Sequence, residues 1–284
     1  MHIASRGATM AVDWEQRIDF GRLRSDRLAR AKAALEASEL GAILLFDQNN
    51  IRYVTSTHIG EWARDKSARC VLLPRNGDPV LWDFGSAARH HQLYAPWLPE
   101  SSWRAGVTSM RGAMPESTGV PDLLAGHIYD VLREHDLLDA QLGIDLTDME
   151  TLASLQRRNI AVADAAPIMQ EARKIKTVDE IALLEHAAGV VDAVYQQIYE
   201  TLRPGVREHE IVAEAQRLLF ELGSEQVEAI NAVSGDRCSP HPHVFSDRLL
   251  RPGDQAFFDI IHSFMGYRTC YYRTFAVGST NQQQ

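Results

Sequence analysis

Apolar and polar residues alternate along this chain in two styles. Up to about residue 170, short apolar runs are separated by stretches with helical spacing. Ala42–Phe46, Ala68–Leu73, Pro79–Phe84, Leu142–Leu146 and Ile160–Val162 read as strands. Arg22–Leu40 reads as a helix closed by Gly41, and Asp122–Glu134 and Asp148–Arg157 as two more. Asn76-Gly77, between two of the strands, is a hairpin signal. Strands alternating with helices predict an α/β layer structure.

The order changes near Arg173. Thr177 and Glu180 have the spacing of a capping box. Apolar residues then recur at Ile181, Leu184, Ala188, Val191, Tyr195, Ile198 and Leu202, which predicts one face of a long helix ended by Arg203-Pro204-Gly205. A second helix, Glu208–Leu222, is closed by Gly223, and Val227–Val233 follows as a strand. After a loop rich in Gly, Pro and His come two apolar strands joined at Phe264-Met265-Gly266. We expect a disordered N-terminus over 1–20 and domains at 21–172 and 173–284.

Composition narrows the function classes. The formal charge of −9 argues against a nucleic-acid or anionic-membrane surface. No apolar run approaches the ~18 residues of a membrane span. The three cysteines, Cys70, Cys238 and Cys270, have no metal-finger spacing, and such sparse usage fits a reducing compartment, here the cytoplasm.

Candidate chemistry concentrates in the last third. Asp259 sits within the apolar strand Ala256–Ile261, where a buried carboxylate is costly unless paired. It is either satisfied by local donors or serves as a metal ligand or charged anchor. Cys270, across the turn, is either packing or a ligand. His241 and His243, with Pro240 and Pro242 on either side of His241, can shuttle protons, bind substrate or ligate metal. Arg268 and Arg273 can pair with Asp259 or fix a substrate carboxylate. His262, by strand alternation, points away from Asp259.

Taken together, Arg251–Asp254, the hairpin and Gly266–Phe275 resemble the central segment of the creatinase, prolidase and aminopeptidase P superfamily, peptidase family M24. Arg173–Ile181 and Leu202–Gly205 with Glu208 resemble its domain junction and next helix start, and Gly41–Phe46 and Asn50–Thr55 resemble its N-terminal domain. The resemblance implies an α/β creatinase-type N-terminal domain followed by the first half of an α+β pita-bread domain. It implies hydrolysis of C–N bonds in small amides, amidines or proline peptides, and a homodimer. Asp259 falls on the first metal Asp of the family, whereas Cys270 stands where the second belongs. The substrate-binding His corresponds to His241 or His243. The remaining ligands, one His and two Glu, belong to the second pita-bread half, beyond this chain. A divalent ion (Mn, Co, Zn or Fe) is therefore expected to bind weakly or not at all. A non-catalytic pseudoenzyme or fragment acting through dimerisation, and a lyase of the same fold acting on a small zwitterion, are the alternative readings.

Overall fold

The computed structural model describes residues 18–60, 69–106 and 116–279. They form two compact units: residues 21–176, and residues 177–279 together with 18–20. Of the N-terminal stretch expected to be disordered, 1–17 lie outside the described residues. Ile18, by contrast, is buried, and the Asp19 N–H donates to the Asp179 carboxylate at 3.1 Å.

In the unit of 21–176 the chain runs α1 (Phe20–Glu36), β1 (Ala42–Leu45), α2 (Gln48–Thr55), β2 (Cys70–Pro74), β3 (Val80–Asp83), α3 (Gly85–Tyr94) and β4 (Trp103–Ala105). It continues through α4 (Val120–Glu134), β5 (Leu142–Ile144), α5 (Met149–Arg157), β6 (Val162–Asp164) and α6 (Ala166–Lys174). The strands form one sheet in the order β4-β3-β2-β1-β5-β6, with β1, β5 and β6 mutually parallel and β2 antiparallel to β1 and β3. Ala42 and Leu44 of β1 pack with α4 and α5, whereas Ile43 and Leu45 pack with α1, α2 and α6. That alternation is the period of a strand with helices on both faces, and it explains why the strands read as unbroken apolar runs.

Helix α1 ends at Glu36, earlier than the apolar spacing suggested. Its exit is held by Arg75, whose guanidinium donates to the carbonyls of Glu36, Ser38 and Leu40 at 3.0, 2.7 and 3.0 Å. Gly41 answers a different need from a helix cap, since a Cβ there would stand 2.4 Å from that of Ala140.

The second unit contains α7 (Val178–Thr201), α8 (Glu208–Glu221) and the antiparallel sheet β7 (Gln226–Ser234), β8 (Gln255–Phe264) and β9 (Tyr267–Ala276), in that spatial order. The capping box at the start of α7 is formed: the Glu180 N–H donates to the Thr177 hydroxyl at 3.2 Å, and the Thr177 N–H to the Glu180 carboxylate at 2.8 Å. The buried stripe of α7 runs through Leu183, Ala187, Val190, Val191, Val194, Tyr195 and Ile198, so Val191, Tyr195 and Ile198 are inside as expected. Ile181, expected inside, is 46% exposed. Apolar residues surround the first turns of α7, so spacing alone did not select the face that packs on the sheet. Ile230, Ala232, Phe258 and Ile260 supply the sheet's side of this core. Each buried Ile or Phe side chain stabilises the layer by about 1.5–3 kcal/mol. Between β8 and β9 the turn is two residues, Met265 and Gly266, with φ of 52° and 86°. Positive φ at both central positions matches the right-handed strand twist.

Candidate active site

With α7 and α8 covering one face of the β7–β9 sheet, the functional side chains of interest fall on the other. Strand register aligns Asn231, Asp259 and Tyr272 in one cross-strand row, and Ala229, Ile261 and Cys270 in the next. Asp259 and Asn231 are buried, and Cys270 is exposed. The Asn231 amide donates to Asp259 Oδ2 at 3.1 Å, and the Cys270 thiol donates to Asp259 Oδ1 at 3.4 Å. Each carboxylate oxygen thus holds a neutral donor, which satisfies the buried charge without a counter-ion. Partial desolvation pushes the Cys270 thiol above its ordinary pKa, and the hydrogen bond to Asp259 pushes it further. A protonated thiol is the form that can donate to a carboxylate, so geometry and proton affinity agree.

The His241 ring lies tilted against Phe257, centroid to centroid 4.9 Å, and Phe257 stacks on Tyr272 at 5.3 Å. This aromatic row lies on the face that carries Asp259. His243 is more exposed and meets His241 edge-on at 4.7 Å.

The loop presenting the two histidines is anchored by Glu208, the first residue of α8 and 1% exposed. Its carboxylate accepts from the Ser234 hydroxyl at 2.8 Å and from the Ser246 N–H and hydroxyl at 2.9 and 2.6 Å, and it pairs with Arg237. A negative charge is favoured at this end of a helix. Farther along, Arg248 pairs with Asp254 and donates to Ser234 at 2.8 Å. Burial alone would raise the Asp254 pKa, but the hydrogen bonds from Arg248 and the Arg251 N–H hold it below the ordinary range. Gly235, at φ 61°, lets Arg248 and Asp254 close in: a Cβ there would stand 2.4 Å from Arg248 Nη2.

The other sequence candidates are placed apart from Asp259. Arg268 is on the same face of β9 but is engaged by Glu228. Arg273 is on the opposite face, because strand alternation aligns it with Phe258 rather than Asp259. There its guanidinium lies 4.7 Å above the Tyr271 ring and 3.5 Å from Asp192, so it does not pair with Asp259. His262 is fully buried on the helix side, as alternation predicts. Its Nε2 meets the Ala187 carbonyl at 2.9 Å and must donate, so Nδ1 accepts from the Ser224 hydroxyl at 2.8 Å. Burial lowers its pKa, and it is a neutral core histidine.

Asn231 and Glu208 were not singled out for chemistry from sequence. Asn231 had one legible signal, a polar side chain between Ile230 and Ala232 in an otherwise apolar strand segment. Among the described residues, no three His, Cys, Asp or Glu side chains are grouped so as to hold a metal. A pair of hard divalent ions needs several oxygen donors shared between them. Asp259 with a protonated thiol opposite does not fit that requirement.

Comparison with known proteins agrees with the fold. Residues 182–284 match the model of metallopeptidase family M24, and 27–175 match the creatinase/prolidase N-terminal domain. A dimethylsulfoniopropionate lyase from Roseobacter denitrificans is 25% identical over 85% of this chain. A probable dipeptidase from Mycobacterium tuberculosis is 30% identical over 89% of it. The chain spans 55% of the length of the lyase and 63% of that of the dipeptidase. The Xaa-Pro dipeptidase of Bacillus anthracis superposes with a TM-score of 0.71 at 20% identity, over 92% of this chain and 67% of that one. An X-Pro aminopeptidase from Thermotoga maritima gives 0.63 at 15% identity, over 90% and 66%. The fold is thus a creatinase-type domain joined to a pita-bread segment. Among the described residues, no helix is long and apolar enough to cross a membrane. The chain belongs to the creatinase/prolidase superfamily of metallopeptidase family M24.

Proposed function

We propose that the protein carrying this chain hydrolyses C–N bonds in a small amide, an amidine or a proline-containing peptide, with a histidine as acid and base in place of a two-metal centre. The observation that carries this reading is the Cys270 thiol donating to Asp259. It leaves Asp259 a buried anion held by an amide and a thiol, suited to accept an N–H or cationic group of the substrate. His241, on the aromatic row of the same face, takes a proton from the attacking water and returns it to the leaving nitrogen. His243 touches only its edge and acts as a second proton site. The proline-peptide option is supported by likeness to the Xaa-Pro dipeptidase and the probable dipeptidase. Any divalent ion binds weakly, and the protein works as a homodimer.

The test is hydrolysis of a panel of Xaa-Pro dipeptides, small amides and amidines, with and without a chelator. Activity is expected to ignore the chelator and to fall by about 10²–10⁴ in His241→Ala. Activity abolished by chelation and restored by Mn(II) or Co(II), or unchanged in His241→Ala, refutes the metal-independent route.

A second reading, elimination from a small zwitterion, is favoured by the 25% identity to a dimethylsulfoniopropionate lyase. Release of an alkene product without consumption of water separates it from hydrolysis.

A further inference from the structure

The unit of 21–176 carries a cleft that the proposed chemistry does not use. It is an open cleft of about 310 Å³ outside the carboxyl ends of the parallel strands β1 and β5. Open α/β sheets place ligands in this position. Asp47, just after β1, caps α2 by accepting from the Asn49 and Asn50 N–H groups at 2.9 and 3.0 Å. Asp145, just after β5, accepts from the Phe46 and Asp47 N–H groups and from the Asn50 amide, at 2.8, 3.2 and 2.8 Å. The opposite wall is one stripe of α6, with Ala166, Met169, Gln170 and Arg173 at helical spacing.

Two groups in this cleft lack the partners that buried or charged groups ordinarily find. Asn50 is 6% exposed and lines the cleft, and its Oδ1 accepts no hydrogen bond. An unsatisfied buried acceptor is costly, so a donor supplied from the cleft would be favoured there. Arg173 makes no hydrogen bond or ion pair among the described residues, while the acids lie on the opposite wall. One wall therefore asks for an N–H donor, preferably cationic beside Asp47 and Asp145. The other asks for an anion, for which a guanidinium is the matched partner. The Leu146 and Met169 side chains give the space between them an apolar lining.

We propose that this cleft binds a small zwitterion of the free amino-acid class, its ammonium on the Asn50 and Asp47 side and its carboxylate on Arg173. A sphere of that volume is about 8 Å across, enough for an amino acid with a modest side chain. The site is independent of the Asp259 face, and it stands or falls separately from the catalytic reading.

Calorimetric titration of the chain with a panel of free L-amino acids, and with ethylamine and acetate as the two halves of such a ligand, tests it. At least one amino acid is expected to bind at one site per chain, with each half-ligand at least about tenfold weaker. Arg173→Gln is expected to weaken binding about tenfold or more, with partial recovery in Arg173→Lys, and Asp259→Asn should leave it unchanged. Hydrogen exchange should show slowing at the amides of 46–50 on binding. No binding by any amino acid overturns the proposal, as does undiminished binding in Arg173→Gln. Loss of binding in Asp259→Asn also overturns it, because the ligand would then sit on the other face.

Discussion

Glu208→Ala removes the acceptor on which the histidine loop depends. Its carboxylate serves the Ser234 hydroxyl, the Ser246 N–H and hydroxyl, and Arg237. Breaking a buried ion pair from one side costs about 3–5 kcal/mol. Two features reduce that figure. The Arg237 side chain is 29% exposed and can rehydrate, and Ser234 keeps a hydrogen bond from Arg248. We therefore expect a loss of about 3 kcal/mol for Glu208→Ala. For Glu208→Gln, which keeps an acceptor of the same shape, we expect about 1–2 kcal/mol. The described tryptophans, Trp82, Trp97 and Trp103, all lie in the unit of 21–176, so their fluorescence does not report this loss. Native-state hydrogen exchange at the amides of α8 and β7 does, since protection there follows the opening free energy of that region. In the catalytic assay, Glu208→Ala should lower activity along with His241→Ala, because the loop that presents the histidine is no longer fixed. A change in protection worth less than about 1 kcal/mol would refute the view that a buried carboxylate organises this loop.

Two further predictions concern stability. The His262 pKa is lowered in the folded state, so between that lowered value and the unfolded value near 6.5 the unfolded chain binds more protons. Stability should fall as pH drops through this window, by up to about 1.4 kcal/mol per pH unit, and His262→Gln should flatten the slope in urea titrations run at several pH values. Gly235→Ala places a Cβ against Arg248 at a backbone φ of 61°, and should cost about 1–3 kcal/mol with loosened exchange protection around Asp254. An unchanged midpoint would show that the Arg248–Asp254 contact is not tight in solution.

Much of this arrangement was legible in the sequence, because local signals carry it. The Thr177–Glu180 capping box and the turn at Met265-Gly266 are set by neighbouring residues and formed, and the strands on either side of Asn76-Gly77 pair as a hairpin, through a five-residue connection. Strand alternation alone placed His262 on the face away from Asp259. Less was legible where the outcome depends on distant partners. The early end of α1 depends on Arg75, and the buried stripe of α7 on the sheet it meets. Asn231 reaches Asp259 only through strand register, from 28 positions away. The acceptor role of Glu208 is likewise assembled by a loop some 38 positions downstream. The cleft beside Asp145 joins α2, β5 and α6, which no single motif connects.

The most direct test of the central claim is the metal content and metal affinity of this chain compared with Cys270→Asp. If the Asp259 carboxylate is held by the Asn231 amide and the Cys270 thiol, the parent should retain well under one equivalent of Mn, Co, Zn or Fe after purification. Restoring a second carboxylate should raise Mn(II) or Co(II) affinity by about tenfold or more in titration calorimetry. A parent chain that keeps a full equivalent of tightly bound ion, and loses it in Asp259→Ala, would contradict the account.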